Sequence, residues 1–78
     1  MTLESSTMDM NSVSPGLYMV RSNVSHAPFG SNAQVLCFKE PSSNPYWGFQ
    51  FAVSENGEVR IRVYWNYTWK SWKTVTMT

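Results

Sequence analysis

The segment from Trp47 to Trp65 constrains the fold more than any other part of the chain. Trp47, Phe49, Phe51 and Val53 alternate with Gly48, Gln50, Ala52 and Ser54, and Val59, Ile61, Val63 and Trp65 alternate with Arg60, Arg62 and Tyr64. A period of two marks strands, whose successive side chains point to opposite faces. Between the two runs lies Glu55-Asn56-Gly57, and the length of such a turn fixes which residues oppose one another. A two-residue Asn56-Gly57 turn pairs Val53 with Arg60 and Phe51 with Arg62, apolar against charged throughout. A three-residue loop Glu55-Asn56-Gly57, with Gly57 left-handed and a bulge, instead pairs Val53 with Val59, Phe51 with Ile61, Phe49 with Val63 and Trp47 with Trp65. Opposed residues share a face, so this second register is the one predicted, with one face wholly apolar. Gln50 then stands opposite Arg62, Ala52 opposite Arg60 and Gly48 opposite Tyr64.

The rest of the chain reads as further strands and loops. Pro15-Gly16 is a turn, and Leu17 to Arg21 is a strand with apolar residues on both faces, which expects cover on both sides. Residues 22–33 form a loop rich in turn residues, with His26 an ordinary loop residue. Gln34 to Lys39 is a second strand, ended by Pro41-Ser42-Ser43-Asn44-Pro45. In the tail, Trp69, Trp72 and Val75 have the spacing of a helical turn, but the many Thr and aromatic residues favour a strand interrupted by a bend. Residues 1–8 read as a flexible lead-in or the end of a stalk, and residues 9–78 as a single domain. The expected fold class is mainly β: a small antiparallel sheet of roughly four to five strands with long loops.

A chain of 78 residues is near the lower limit for a self-sufficient core, burying only about 60–65% of its unfolded surface. Disulfides, a metal or oligomerisation commonly make up the difference. Cys37 is the sole cysteine and sits in the apolar run Val35-Leu36-Cys37-Phe38, and His26 is the sole histidine. A buried, inert thiol and no metal or other cofactor are therefore expected, which leaves self-association. No basic start precedes an apolar stretch at the N-terminus and no run reaches the roughly 20 residues of a membrane span, so neither a signal peptide nor membrane insertion is expected. A nucleophile with its base, paired carboxylates and phosphate-loop motifs are all missing from the sequence, so the expectation is a protein that is not an enzyme.

Binding is the better-supported class of function. Aromatic residues make up 15% of the chain, and a ring stacks on a sugar face while neighbouring polar groups bond its hydroxyls. The candidate ligand-binding residues are Tyr46, Arg60, Tyr64, Asn66 and Tyr67; the plainer alternative is that these rings complete the core or a subunit interface. Single-stranded nucleic acid uses similar ingredients, but the Arg60/Arg62 face is short and the net charge is only +1.

The order of these features resembles that of the pyocin-knob type of domain, found in tail fibres of phages and of phage-tail-like bacteriocins. Asp9-Met10-Asn11-Ser12-Val13-Ser14-Pro15-Gly16-Leu17-Tyr18-Met19-Val20 looks like the family's opening, in which a Gly precedes an alternating Tyr strand. Gln50, Gly57 and Arg62 fall at the family's hairpin positions, and Trp69-x-x-Trp72-x-x-Val75 looks like its ending. Members often carry a Gly shortly before the first Trp of that ending, where this chain has Asn66-Tyr67-Thr68-Trp69. The resemblance implies a homotrimeric C-terminal fibre knob in a virion, made in the bacterial cytoplasm and joined to the rest of the tail fibre. Its implied partner is a surface polysaccharide, lipopolysaccharide or protein of the host, and its alternative role is a trimerisation or spacer module. The structural residues so implied are Gly16, Tyr18, Gln50, Gly57, Arg62, Trp69 and Trp72, with Trp69 and Trp72 under the sheet and Arg62 bonded to Gln50 or nearby carbonyls.

Overall fold

The computed structural model describes residues 9–76 and the backbone of Thr2–Leu3. Among them the chain forms one sheet of β1 (Thr2–Leu3), β2 (Gly16–Val20), β3 (Ala33–Lys39), β4 (Trp47–Ser54), β5 (Val59–Trp65), β6 (Thr68–Trp69) and β7 (Lys73–Val75). The spatial order is β1-β2-β3-β4-β5-β6, with β7 also beside β5. Strands β2 to β5 make an antiparallel meander, while β1 runs parallel to β2 through Thr2↔Met19 and Leu3↔Val20. The expected all-β antiparallel sheet is therefore present, with short strands added at both edges. Apart from β1, the lead-in expected over residues 1–8 lies outside the described residues.

The central hairpin has the predicted register, from Trp47↔Trp65 through Phe49↔Val63 and Phe51↔Ile61 to Val53↔Val59. Gly57 has φ 84°, the left-handed conformation that glycine takes without a Cβ penalty. Ser54 closes the loop: its Oγ accepts the amides of Asn56 (3.2 Å) and Glu58 (3.1 Å), and its own amide donates to the Glu58 carbonyl (2.9 Å). In the tail, β6 and β7 both pair with β5 and the chain bends between them, so the strand-with-bend expectation holds over the helical spacing.

Which face is covered could not be read from the alternation. The buried side carries Tyr18 and Val20 of β2, Ala33, Val35 and Cys37 of β3, Gly48, Gln50, Ala52 and Ser54 of β4, and Arg62 of β5. Residues 9–14 and the loop 21–32 lie across this side and contribute Met10, Val24 and Phe29 to the core. The two covering segments are tied together by the Met10 amide donating to the Ser25 carbonyl (3.0 Å) and by a bridge between Asp9 and Ser25. The loop predicted over residues 22–33 thus also supplies Val24 and Phe29 to the core, while Ser22, Asn23, Ser25, His26 and Gly30 stay exposed. The apolar side of the hairpin faces outward, and among the described residues the cover that the strands expect on both sides is supplied on one side only.

Strands β3 and β4 approach closely at Gly48. A Cβ there falls 2.3 Å from the Phe38 carbonyl oxygen and 3.0 Å from the Lys39 Cα. Both are backbone atoms of a paired strand, so no side-chain rotation relieves the clash. Gly48→Ala is expected to cost about 2–3 kcal/mol, read as a lower thermal midpoint; an unchanged midpoint contradicts the close approach.

Candidate functional site

Three features can carry function: a buried cation on the inner side, the uncovered outer side, and a cluster of rings where β4 begins and β5 ends.

The cation is Arg62, only 4% exposed. Its Nε donates to Gln50 Oε1 (2.8 Å), and Gln50 Nε2 donates to the Met10 carbonyl (2.7 Å). The guanidinium lies between two indoles, with its Cζ 4.3 Å from the Trp69 ring centre and 4.8 Å from that of Trp72. Each indole is anchored in turn: Trp69 Nε1 donates to the Asn11 carbonyl (3.2 Å) and Trp72 Nε1 to the His26 carbonyl (3.1 Å). Burial lowers the Arg62 pKa to about 10, so the group stays charged at neutral pH. Among the described residues no carboxylate reaches salt-bridge distance of it, and the aromatic faces supply the negative potential instead. Gln50, Arg62, Trp69 and Trp72 thus join residues 9–11, the hairpin, the loop 21–32 and the tail. Trp72 packs against the core rather than within it.

Asp9 secures the same region from outside. Its carboxylate accepts the Asn11 amide (2.9 Å) and contacts His26 Nδ1 (2.8 Å), so His26 is a loop residue with a defined partner. The backbone hydrogen bond from Asn11 is the main cause holding the Asp9 pKa below 3.8, with partial burial opposing it and His26 adding to it. A carboxylate depressed in the folded state contributes stability that is complete above its unfolded pKa and is lost as pH falls through the folded value. The melting difference between wild type and Asp9→Asn is therefore expected to be constant near neutrality and to shrink below about pH 4. A difference independent of pH across that window contradicts the assignment.

The outer side is apolar across four strands. Leu17, Leu36, Phe51 and Ile61 form one row, Met19, Gln34, Val53 and Val59 the next, and Phe38, Phe49 and Val63 another, with Trp47 opposite Trp65 beyond. Leu17, Leu36, Phe38, Trp47, Phe51, Val53, Val63, Trp65 and Val75 each keep between 37% and 61% of their surface exposed. They form a contiguous set on one side of the sheet, unlike the singly scattered apolar residues that are normal on a monomer's surface. A groove of about 590 Å³ runs over Leu17, Leu36, Phe51 and Val53.

The candidate ligand-binding residues do not all meet. Tyr46 and Tyr67 come together, 6.2 Å between ring centres, and Trp65 joins them at 5.4 Å from Tyr46. Asn66 is exposed in the adjoining two-residue turn. Tyr64 points to the inner side, against Trp69 at 5.0 Å and beneath Lys39 Nζ at 5.2 Å. Arg60 lies far down the same strand: its Nη1 donates to the Pro28 carbonyl (2.6 Å) and its guanidinium covers the Phe29 ring at 4.7 Å. The loop 21–32 is engaged there through Pro28 and Phe29. Sequence reasoning missed Trp65 and Asn44 as members of the cluster; Trp65 was hidden by its place in the apolar alternation, and Asn44 by its place in a loop breaker.

Neither a known family nor a curated protein matches the sequence. Among solved structures, the chain is similar to the Pseudomonas aeruginosa R1 pyocin fibre comprising C-terminal residues 323–701, with a TM-score of 0.78 at 17% identity. The match covers 97% of this chain and 21% of that one, so the chain spans about a fifth of the fibre fragment's length. The all-β sheet described above is thus similar, over nearly its whole extent, to the fold of one segment of that pyocin fibre.

Proposed function

We propose that this chain is a knob segment of a phage-type tail fibre, which associates into a homotrimer through its outer sheet face and attaches the fibre to a bacterial surface glycan. The observation that carries this reading is the uncovered apolar face. The rows that make it up contain no charged residue, and an exposed apolar face of this kind marks an interaction surface. Three copies related by a closed rotation cover every such face and leave none open to further addition. The similarity of fold to a segment of a pyocin fibre supports the fibre part of the reading.

Attachment is favoured over a pure spacer role by the exposed rings of Tyr46 and Tyr67, which stand beside Trp65 and belong neither to the core nor to the sheet rows. A single-stranded nucleic-acid role loses the support of the Arg60/Arg62 face: Arg62 is buried and Arg60 is bound to the Pro28 carbonyl. The test is retention of the labelled chain on immobilised lipopolysaccharide and capsular polysaccharide. Retention on one of them and not on bare matrix is expected; no retention on any overturns attachment and leaves the spacer role.

A further inference from the structure

We infer that Tyr46, Trp65 and Tyr67, with Asn44 and Asn66, form a site for a neutral hexose unit of that glycan, a conclusion that rests on the attachment reading. The three rings are 41%, 52% and 54% exposed, high values for side chains that touch one another. They meet at tilts of 56° and 50°, and the pairs Phe38 with Trp47 and Tyr64 with Trp69 are tilted too. Tilted rings leave open faces, and a pyranose presents a patch of C–H groups that packs on such a face.

The backbone adds an independent argument. Trp65 pairs with Thr68 across a two-residue turn in which Asn66 has φ 52° and Tyr67 φ 64°. A turn of that kind prefers Asn then Gly. Asn66 fits it, whereas Tyr67 holds a bulky side chain in a conformation that non-glycine residues avoid, and it does so with the ring largely in solvent. Strain retained where packing does not demand it is characteristic of binding sites.

Polar groups suited to sugar hydroxyls surround the rings. Asn44 Nδ2 donates to the Tyr67 hydroxyl (3.4 Å), and both Asn44 and Asn66 are exposed. The Glu40 carboxylate accepts the Tyr46 amide (2.8 Å) and places negative charge at the base of the cluster. Lys39, the neighbouring cation, lies over Tyr64 and Trp69 instead. This balance opposes phosphate-rich ligands and favours uncharged ones.

The experiment titrates the full chain with purified neutral oligosaccharides of glucose, galactose and mannose, for wild type, Tyr46→Ala and Tyr67→Gly, with solution mass measured on each. Tyr67→Gly removes the ring and relieves the strained turn, so it is expected to melt higher than wild type. Both variants are expected to bind the preferred sugar about tenfold more weakly or worse, as for an anchoring aromatic, at unchanged mass. Undiminished binding by both variants overturns the site while attachment stands. A loss of mass in either variant overturns it too, by assigning the rings to the subunit interface. Wild type that is retained on charged surface polysaccharides but binds no neutral sugar overturns the ligand class.

Discussion

Gln50→Leu is expected to destabilise the chain by about 3–5 kcal/mol, the range for stranding a buried charge. Gln50 is fully buried and serves two partners at once, accepting from Arg62 Nε and donating to the Met10 carbonyl. Leucine fills similar space but leaves a buried guanidinium without its acceptor and a carbonyl without its donor. In a chain this small the loss corresponds to a fall in midpoint of roughly 12 °C or more. Replacing Arg62 as well, by methionine, is expected to recover part of the loss, since the sandwich between Trp69 and Trp72 can be filled by an apolar side chain without a charge to satisfy. Circular dichroism melts of the single and double variants check both points. A Gln50→Leu protein that melts with wild type contradicts the account of the inner side.

The second large effect is expected on assembly. Phe51 lies mid-face, in one row with Leu17, Leu36 and Ile61, and is 40% exposed in the single chain. Phe51→Glu places a charge where neighbouring copies are proposed to meet, and an unpaired charge in a buried interface costs about 2–5 kcal/mol per copy. The variant is expected to remain folded, because position 51 is outside the chain's own core, and to behave as a single chain of 9.0 kDa. Its midpoint is then independent of concentration, whereas that of wild type rises with concentration. If Phe51→Glu associates as wild type does, the interface is elsewhere.

The contrast between these two positions shows what could be read from the residues. Gln50 and Phe51 are sequence neighbours in one alternating strand, and the turn Glu55-Asn56-Gly57 was enough to set their partners as Arg62 and Ile61. Register follows from local chemistry, because turn length and face-sharing leave one consistent solution. Which face the chain covers does not, because the cover comes from distant segments. Met10, Val24 and Phe29 sit among Ser, Asn and Pro residues without any period, so their place in the core shows only once loop 21–32 lies across the sheet. Gln50 and Arg62 lie on the covered side, where Gln50 accepts from Arg62 Nε and two indoles flank the guanidinium, whose Nη2 is left without a hydrogen-bond partner among the described residues. The binding candidates divided for the same reason. Tyr46 and Tyr67 flank the strand ends and meet, while Arg60 shares a strand with Trp65 but belongs to the opposite side and the opposite end.

The most direct test of the account is the molar mass of the isolated chain by light scattering across a dilution series. The outer face is proposed to be covered by other copies, so a mass three times the 9.0 kDa of one chain is expected at high concentration, falling towards one chain on dilution. A mass of 9.0 kDa at every concentration contradicts the proposed trimer and with it the role assigned to that face.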